Sequence, residues 1–278
     1  MTYFKVDKIV LGWLALVAAQ VISGIVVPIH AVAPPNALEW MLLTDFLVAA
    51  VLGIVAVRSD WVGWKLALAL VTIALAINLV DAIEGSIFLK HSEIPWRSLI
   101  LNMCVTYVLV LPLWRYIFGG GEAVPAHYSP FAQKSALSAV GKFAVSDLSY
   151  LALYFTAGTI IFPFVKHFYA TQTLPSYGTI VILQLLLRGP VFVLVCLLLV
   201  RMVGLSRWQG AFAVGLAFTI LSGVAPLLMP NPYFPDYVRW THFGEVTSSN
   251  FVFGCLVSLI WGKPKGIAAT PRQMSQAA

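Results

Sequence analysis

The sequence predicts an all-α integral membrane protein with about eight transmembrane helices arranged as two parallel four-helix repeats. Three observations predict it. Of the 278 residues, 60% are hydrophobic and only 10% charged, with a mean hydropathy of +0.90, whereas soluble domains carry about 25% charged residues. Apolar runs long enough to cross a hydrocarbon layer about 30 Å thick recur along the whole chain. The two halves also resemble each other. Asp45 and Arg58 are spaced like Arg188 and Arg201, Trp64 and Trp96 like Trp208 and Trp240, and Asn102 matches Asn250 after a short insertion. Four spans is an even number, so two such units would lie parallel, related by an axis along the membrane normal.

In order, the expected spans are 9–29, 38–57, 65–89, 98–114, 142–165, 177–200, 209–229 and 243–261. Residues 1–118 form the first repeat and 142–262 the second. The Gly-rich, polar segment 119–141 reads as a cytoplasmic linker, and the polar tail 263–278 as disordered. Lys5 and Lys8 precede the first run, and Ala31-Val32-Ala33 imitates a signal cleavage site. That run exceeds a signal-peptide apolar region, so it is read as a span.

An even number of spans puts both termini on one side. Twelve of the 17 Lys and Arg residues fall on that side: Lys5, Lys8, Arg58, Lys65, Arg115, Lys134, Lys142, Arg201, Arg207, Lys263, Lys265 and Arg272. The positive-inside rule then makes both termini cytoplasmic. The same rule accounts for the net charge of +6. No Lys/Arg cluster interleaved with aromatics is present, so nucleic acid is not an expected partner. Cys104, Cys196 and Cys255 lie inside apolar runs without metal-ligand spacing and read as small buried hydrophobes. Trp61, Trp64, Trp96, Trp114, Trp208, Trp240 and Trp261 fall near span ends and read as interfacial belts.

The polar outliers carry the functional information. Asp45 and Arg188 occupy matching positions in the two repeats. Each charge alone would cost about 2.5–3.5 kcal/mol on insertion scales, so an Asp45–Arg188 ion pair across the pseudo-twofold axis is expected. Gln184 stands one turn from Arg188 and shares its face. Asn78, Asp81 and Glu84 recur every three residues on the third span, and Gly85 leaves room for a ligand or a neighbouring backbone. After the Pro-rich turn at 230–235, the eighth span opens with Arg239, His242 and Glu245, again three apart, followed by Ser249 and Asn250.

Together these residues suggest a shared outward-facing polar site built by both halves, with Asp45, Asp81, Glu84, Gln184, Arg188, Arg239, His242, Glu245 and Asn250 as the substrate-binding set. The leading expectation is transport of a small polar or charged solute or ion. One alternative is an intramembrane hydrolase or transferase, metal-assisted in one version, with Glu245 or Glu84 as general base and His242 as acid or metal ligand. Another is a structural membrane subunit. His242 and Glu245 are weak metal candidates: with Asp81 and Glu84 they suit a transition metal, but no second histidine stands within reach. The sequence contains no GxSxG, Walker loop, GxGxxG or HExxH, and the cofactor is unknown. The partners expected are membrane lipid and a small solute.

The stretch 230–254, together with Leu187-Arg188-Gly189, resembles a group of bacterial multi-spanning membrane proteins without an assigned activity. The resemblance implies a bacterial cytoplasmic membrane and transfers no catalytic or binding residue.

Overall fold

A computed structural model describes residues 6–29, 36–88, 95–120, 135–230 and 234–262. Among these residues, eight helices are long and apolar enough to cross a membrane: α1 Val6–Val26, α2 Ala37–Arg58, α3 Gly63–Phe88, α4 Trp96–Phe118, α5 Ala136–Tyr169, α6 Tyr177–Val203, α7 Arg207–Leu228 and α8 Asp236–Trp261. The fold is all-α, as the composition predicts. A helix satisfies its backbone polar groups within one segment, which suits runs this apolar.

Within the first half, α1 packs on α2 and α4, and α3 packs on α4. Within the second, α5 packs on α6 and α8, and α7 on α6 and α8. The halves meet where α3 lies on α6 and where α2 lies on α6 and α7. Leu66, Leu70, Ile73 and Ile77 of α3 are fully buried, as are Phe192 and Leu199 of α6.

The two ends of the bundle are tied differently. At the end carrying the start of α1, Arg201 makes a two-pronged ion pair with Asp60, both N–O distances being 2.8 Å, so the exit of α6 is joined to the α2–α3 turn. Gly63, at φ 59°, donates its N–H to the Gly119 carbonyl (3.0 Å). At the opposite end, the buried Arg239 donates to the Leu227 and Leu228 carbonyls at 3.2 and 3.0 Å and to Asp236 at 2.9 Å. It thereby caps the C-terminus of α7, where four carbonyls lack helical partners.

Two π-helical turns interrupt the bundle, Gln184–Arg188 in α6 and Ile220–Val224 in α7. Each immediately precedes an X-Pro step, Gly189-Pro190 and Ala225-Pro226. Proline lacks the N–H for the regular ladder and its ring crowds the carbonyl four residues back. A wider turn relieves that conflict: the N–H groups of Gly189 and Ala225 reach the carbonyls of Gln184 and Ile220, five residues earlier. Such π turns are frequent at functional sites.

Several expectations need revision. Helix α5 begins at Ala136, not Lys142, so the last residues of the expected 119–141 linker are helical. The rest of that linker from residue 121 to 134, and the tail 263–278, lie outside the described residues. Trp114 and Trp261 are not belt residues: both are buried, and their indole N–H groups donate to the Gly12 carbonyl (3.0 Å) and to Ser146 Oγ (3.1 Å). A buried indole needs a partner for its N–H, and each tryptophan finds one on the first helix of its own half. Trp64, Trp208 and Trp240 are exposed, as a belt requires. Gly85 receives the Trp96 ring, which a Cβ there would meet at 2.6 Å; its openness serves helix packing.

Candidate functional site

Arg188 is the centre of the site. It is held by the π turn at the midpoint of α6 and aimed at α3. Its Nη2 stands 3.0 Å from Asp81 Oδ1, and its Nη1 donates to Glu84 Oε2. Gln184, at the start of the same π turn, donates from Nε2 to Glu84 Oε1 (2.8 Å), so both oxygens of Glu84 are occupied by α6. The guanidinium also lies 5.0 Å from the centre of the Phe192 ring, a cation–π contact. Asp81 and Glu84 are one helical turn apart, and two carboxylates that close repel unless a cation lies between them.

A second group lies on α8 and α5. His242 Nδ1 is 2.7 Å from Glu245 Oε2, and His242 Nε2 is 2.7 Å from the Tyr169 hydroxyl. The Phe234 and Tyr169 rings pack against the imidazole and fix its orientation. The other oxygen of Glu245 faces α5 at Gly158, where a Cβ would sit 3.7 Å away. Tyr154, one turn before Gly158, lies near both groups, within Coulombic reach of Glu84, Arg188, Glu245 and Tyr169. Tyr150, one turn further, feels Arg188, Glu84 and Asp81.

An aromatic layer lies beneath the cluster, toward the end that carries the start of α1. Tyr150, Phe192, Phe218 and Phe253 come from α5, α6, α7 and α8, with ring centres 5.0–5.6 Å apart. All four are buried. On the opposite side, an open hollow of about 380 Å³ is lined by Phe162, Lys166, His167, Tyr169, Ala170 and Leu174.

Asp81, Glu84, Gln184 and Arg188 form one cluster and His242 and Glu245 another, and Tyr154 lies near both, so the site has two parts. The other three expected residues do not join it. The Asp45–Arg188 pair is not formed. Asp45 accepts from Gln20 Nε2 (2.9 Å) of α1, near Tyr107, which is itself held by Asn78 Nδ2 (2.8 Å). α2 turns Asp45 toward α1, whereas α6 turns Arg188 toward α3. Arg239 is committed to the α7 cap described above. Asn250 donates to Ser222 Oγ (2.9 Å), inside the π turn of α7. Asn250→Ala should lower stability by about 1 kcal/mol, the scale of interhelical hydrogen bonds in membranes, as measured by thermal unfolding in detergent.

Four residues were overlooked in the sequence. Tyr150, Tyr154 and Tyr169 are phenols on a largely apolar helix, and a buried hydroxyl needs a partner. Asp147, also on α5, places Oδ1 against Gly189, where it is buried without a hydrogen-bond partner. An ionisable residue in an apolar run was the available signal. Among the described residues no three His, Cys, Asp or Glu side chains converge to hold a metal ion. Both nitrogens of His242 are engaged by protein groups, which leaves neither free for a ligand bond in this arrangement.

Fold and site together define a class: an all-helical protein with eight membrane-length apolar helices and a polar cluster enclosed among four of them. The chain matches no protein-family model, no curated protein and no solved structure.

Proposed function

We propose that the protein transports a small polar or charged solute, and that it is integral to the bacterial cytoplasmic membrane with both termini in the cytoplasm. The observation that carries the reading is the placement of Arg188 with Asp81, Glu84 and Gln184 at the seam between the two halves. Groups this costly to insert earn retention in a membrane through function, and transporters place their sites near mid-depth at the interface of their repeats. The cluster holds one guanidinium against two carboxylates, with Glu245 as a third acid nearby, so the site has negative charge available for a cationic group or a coupling ion. Arg188 would engage an anionic group of the solute after exchanging one of its carboxylate partners.

The helix contacts support a repeat of two parallel four-helix units. In each half the first helix packs on the second and fourth, and the third packs on the fourth. Between halves, the contact of α3 with α6 is mirrored by that of α7 with α2. Rocking one half on the other would expose the cluster alternately to the two sides, with the aromatic layer closing the cytoplasmic side in the arrangement described.

The test is thiol accessibility. With Cys104, Cys196 and Cys255 replaced by serine or alanine, single cysteines at Asp81 and Glu245 should react with a membrane-impermeant reagent in both right-side-out and inside-out vesicles. Labelling from one side only would count against transport. A second reading is favoured by one observation: His242 bridges Glu245 and the Tyr169 hydroxyl, as a base and its orienting carboxylate do in hydroxyl-activating enzymes. That reading requires one-sided access and loss of turnover in Glu245→Gln with the fold intact.

A further inference from the structure

We infer that Tyr169, His242 and Glu245 form a proton-conducting chain, so that the ion exchanged by the site is the proton. The inference deepens the transport reading and rests on it only for what the proton is coupled to; the chain itself stands on its own geometry.

Three groups able to pass protons are joined by two hydrogen bonds of 2.7 Å, Tyr169 OH to His242 Nε2 and His242 Nδ1 to Glu245 Oε2. Tyr169 lines the open hollow at one end of the chain. At the other end Glu245 lies within Coulombic reach of Tyr154, which is within reach of Glu84 and Arg188. The chain thus runs from a surface depression toward the buried ion cluster.

An imidazole held at both nitrogens has two arrangements. With Glu245 ionised, Nδ1–H donates to Oε2 and Nε2 accepts from the Tyr169 hydroxyl. When a hydronium in the hollow gives a proton to the Tyr169 oxygen, the tyrosine passes its own proton to Nε2, and Nδ1 releases its proton to Glu245. Three O–H or N–H bonds form and three break. The hydronium becomes water, Glu245 becomes a neutral acid, and His242 changes tautomer without net charge. The polarity of both hydrogen bonds is then reversed, and return of the proton resets it.

The titratable and charged groups around the chain come from two other helices and from the chain's own two. α5 contributes Tyr154, with Lys166 and His167 at the rim; α6 contributes Arg188; α3 contributes Asp81 and Glu84; α8 itself adds Arg239, which is committed to Asp236 and the α7 carbonyls. The described part of α7 past Arg207 has no titratable side chain. Loading Glu245 removes a negative charge near Tyr154, which also faces Glu84 and Arg188, and that change is what would couple the proton to release or capture of a solute.

The experiment uses the full chain in lipid nanodiscs without added solute, followed by infrared difference spectroscopy. Stepwise acidification should produce protonated-carboxyl bands, one of which is absent in Glu245→Gln and kept in Asp81→Asn. After a rapid pH jump, Tyr169→Phe should slow the appearance of that band about a hundredfold, as removal of a positioned proton-transfer group does. The substitution deletes one hydroxyl and keeps the ring that packs on His242, so the melting profile should stay close to wild type. A purely structural role for Tyr169 would leave the rate unchanged, and that result overturns the relay. So does the absence of any Glu245-dependent band. If the band and the rate behave as expected but vesicle labelling proves one-sided, the chain stands and the transport reading falls.

Discussion

Arg188→Gln should destabilise the protein by about 3–5 kcal/mol, the scale seen when one member of a buried ion pair is removed. The substitution leaves Asp81 and Glu84 one turn apart on α3 with no cation between them, and Gln184 holds only one oxygen of Glu84. All three ionisable side chains are largely enclosed, at 14%, 26% and 11% exposure for Arg188, Asp81 and Glu84. Solvent therefore screens little of the loss. The measurement is thermal unfolding in detergent together with the yield of monodisperse protein. Adding Asp81→Asn and Glu84→Gln to the variant should recover most of the lost stability, because amides in place of acids remove the uncompensated charge. Rescue should fail when Asp45→Arg is combined with Arg188→Asp, since Asp45 bonds to Gln20 on a different helix. A silent Arg188→Gln, or a successful swap with Asp45, would dismantle the site described above.

The second large effect is expected at the crossing of α7 and α8. A Cβ on Gly254 would lie 2.8 Å from Gly215 Cα and 3.1 Å from the Val214 carbonyl oxygen; one on Gly215 would lie 2.6 Å from Cys255 Sγ and 2.8 Å from the Phe251 carbonyl oxygen. These neighbours are largely backbone, which cannot rotate away. Close backbone approach through small residues is how helices attract one another where lipid removes the hydrophobic driving force between them. Gly254→Leu should therefore force the two helices apart. The cost should be about 3 kcal/mol, at or above the upper end for overpacked cores, and the Phe218–Phe253 contact of the aromatic layer should go with it. Loss of the folded peak in size-exclusion chromatography and a lowered melting temperature are the readouts. Gly244→Ala is the matched control, because a Cβ there meets nothing within 4 Å.

Much of the site was legible because burying charge is expensive in any apolar surrounding. That single rule marked Asp81, Glu84, Arg188, His242 and Glu245 without knowledge of the fold. It also marked Asp45, Arg239 and Asn250, which the structure attaches to α1, to the α7 cap and to the α7 π turn. The rule reports that a polar group needs a partner, but it does not report which partner. Tyr154 was missed for the complementary reason: a phenol on an apolar helix reads as an anchor until its neighbours are known.

What the sequence determined by itself is one-dimensional: eight apolar lengths, the depth of each polar residue along them, and the weak likeness of the halves. Each follows from hydropathy and a rise of about 1.5 Å per residue. The tertiary structure decided the rotation of each helix about its axis and the choice of neighbour, including the π turn that carries Arg188 past Gly189-Pro190 toward α3. Two residues at equal depth meet only when their helices present those faces to each other. That depends on packing summed over the whole bundle, which spacing along one helix does not encode.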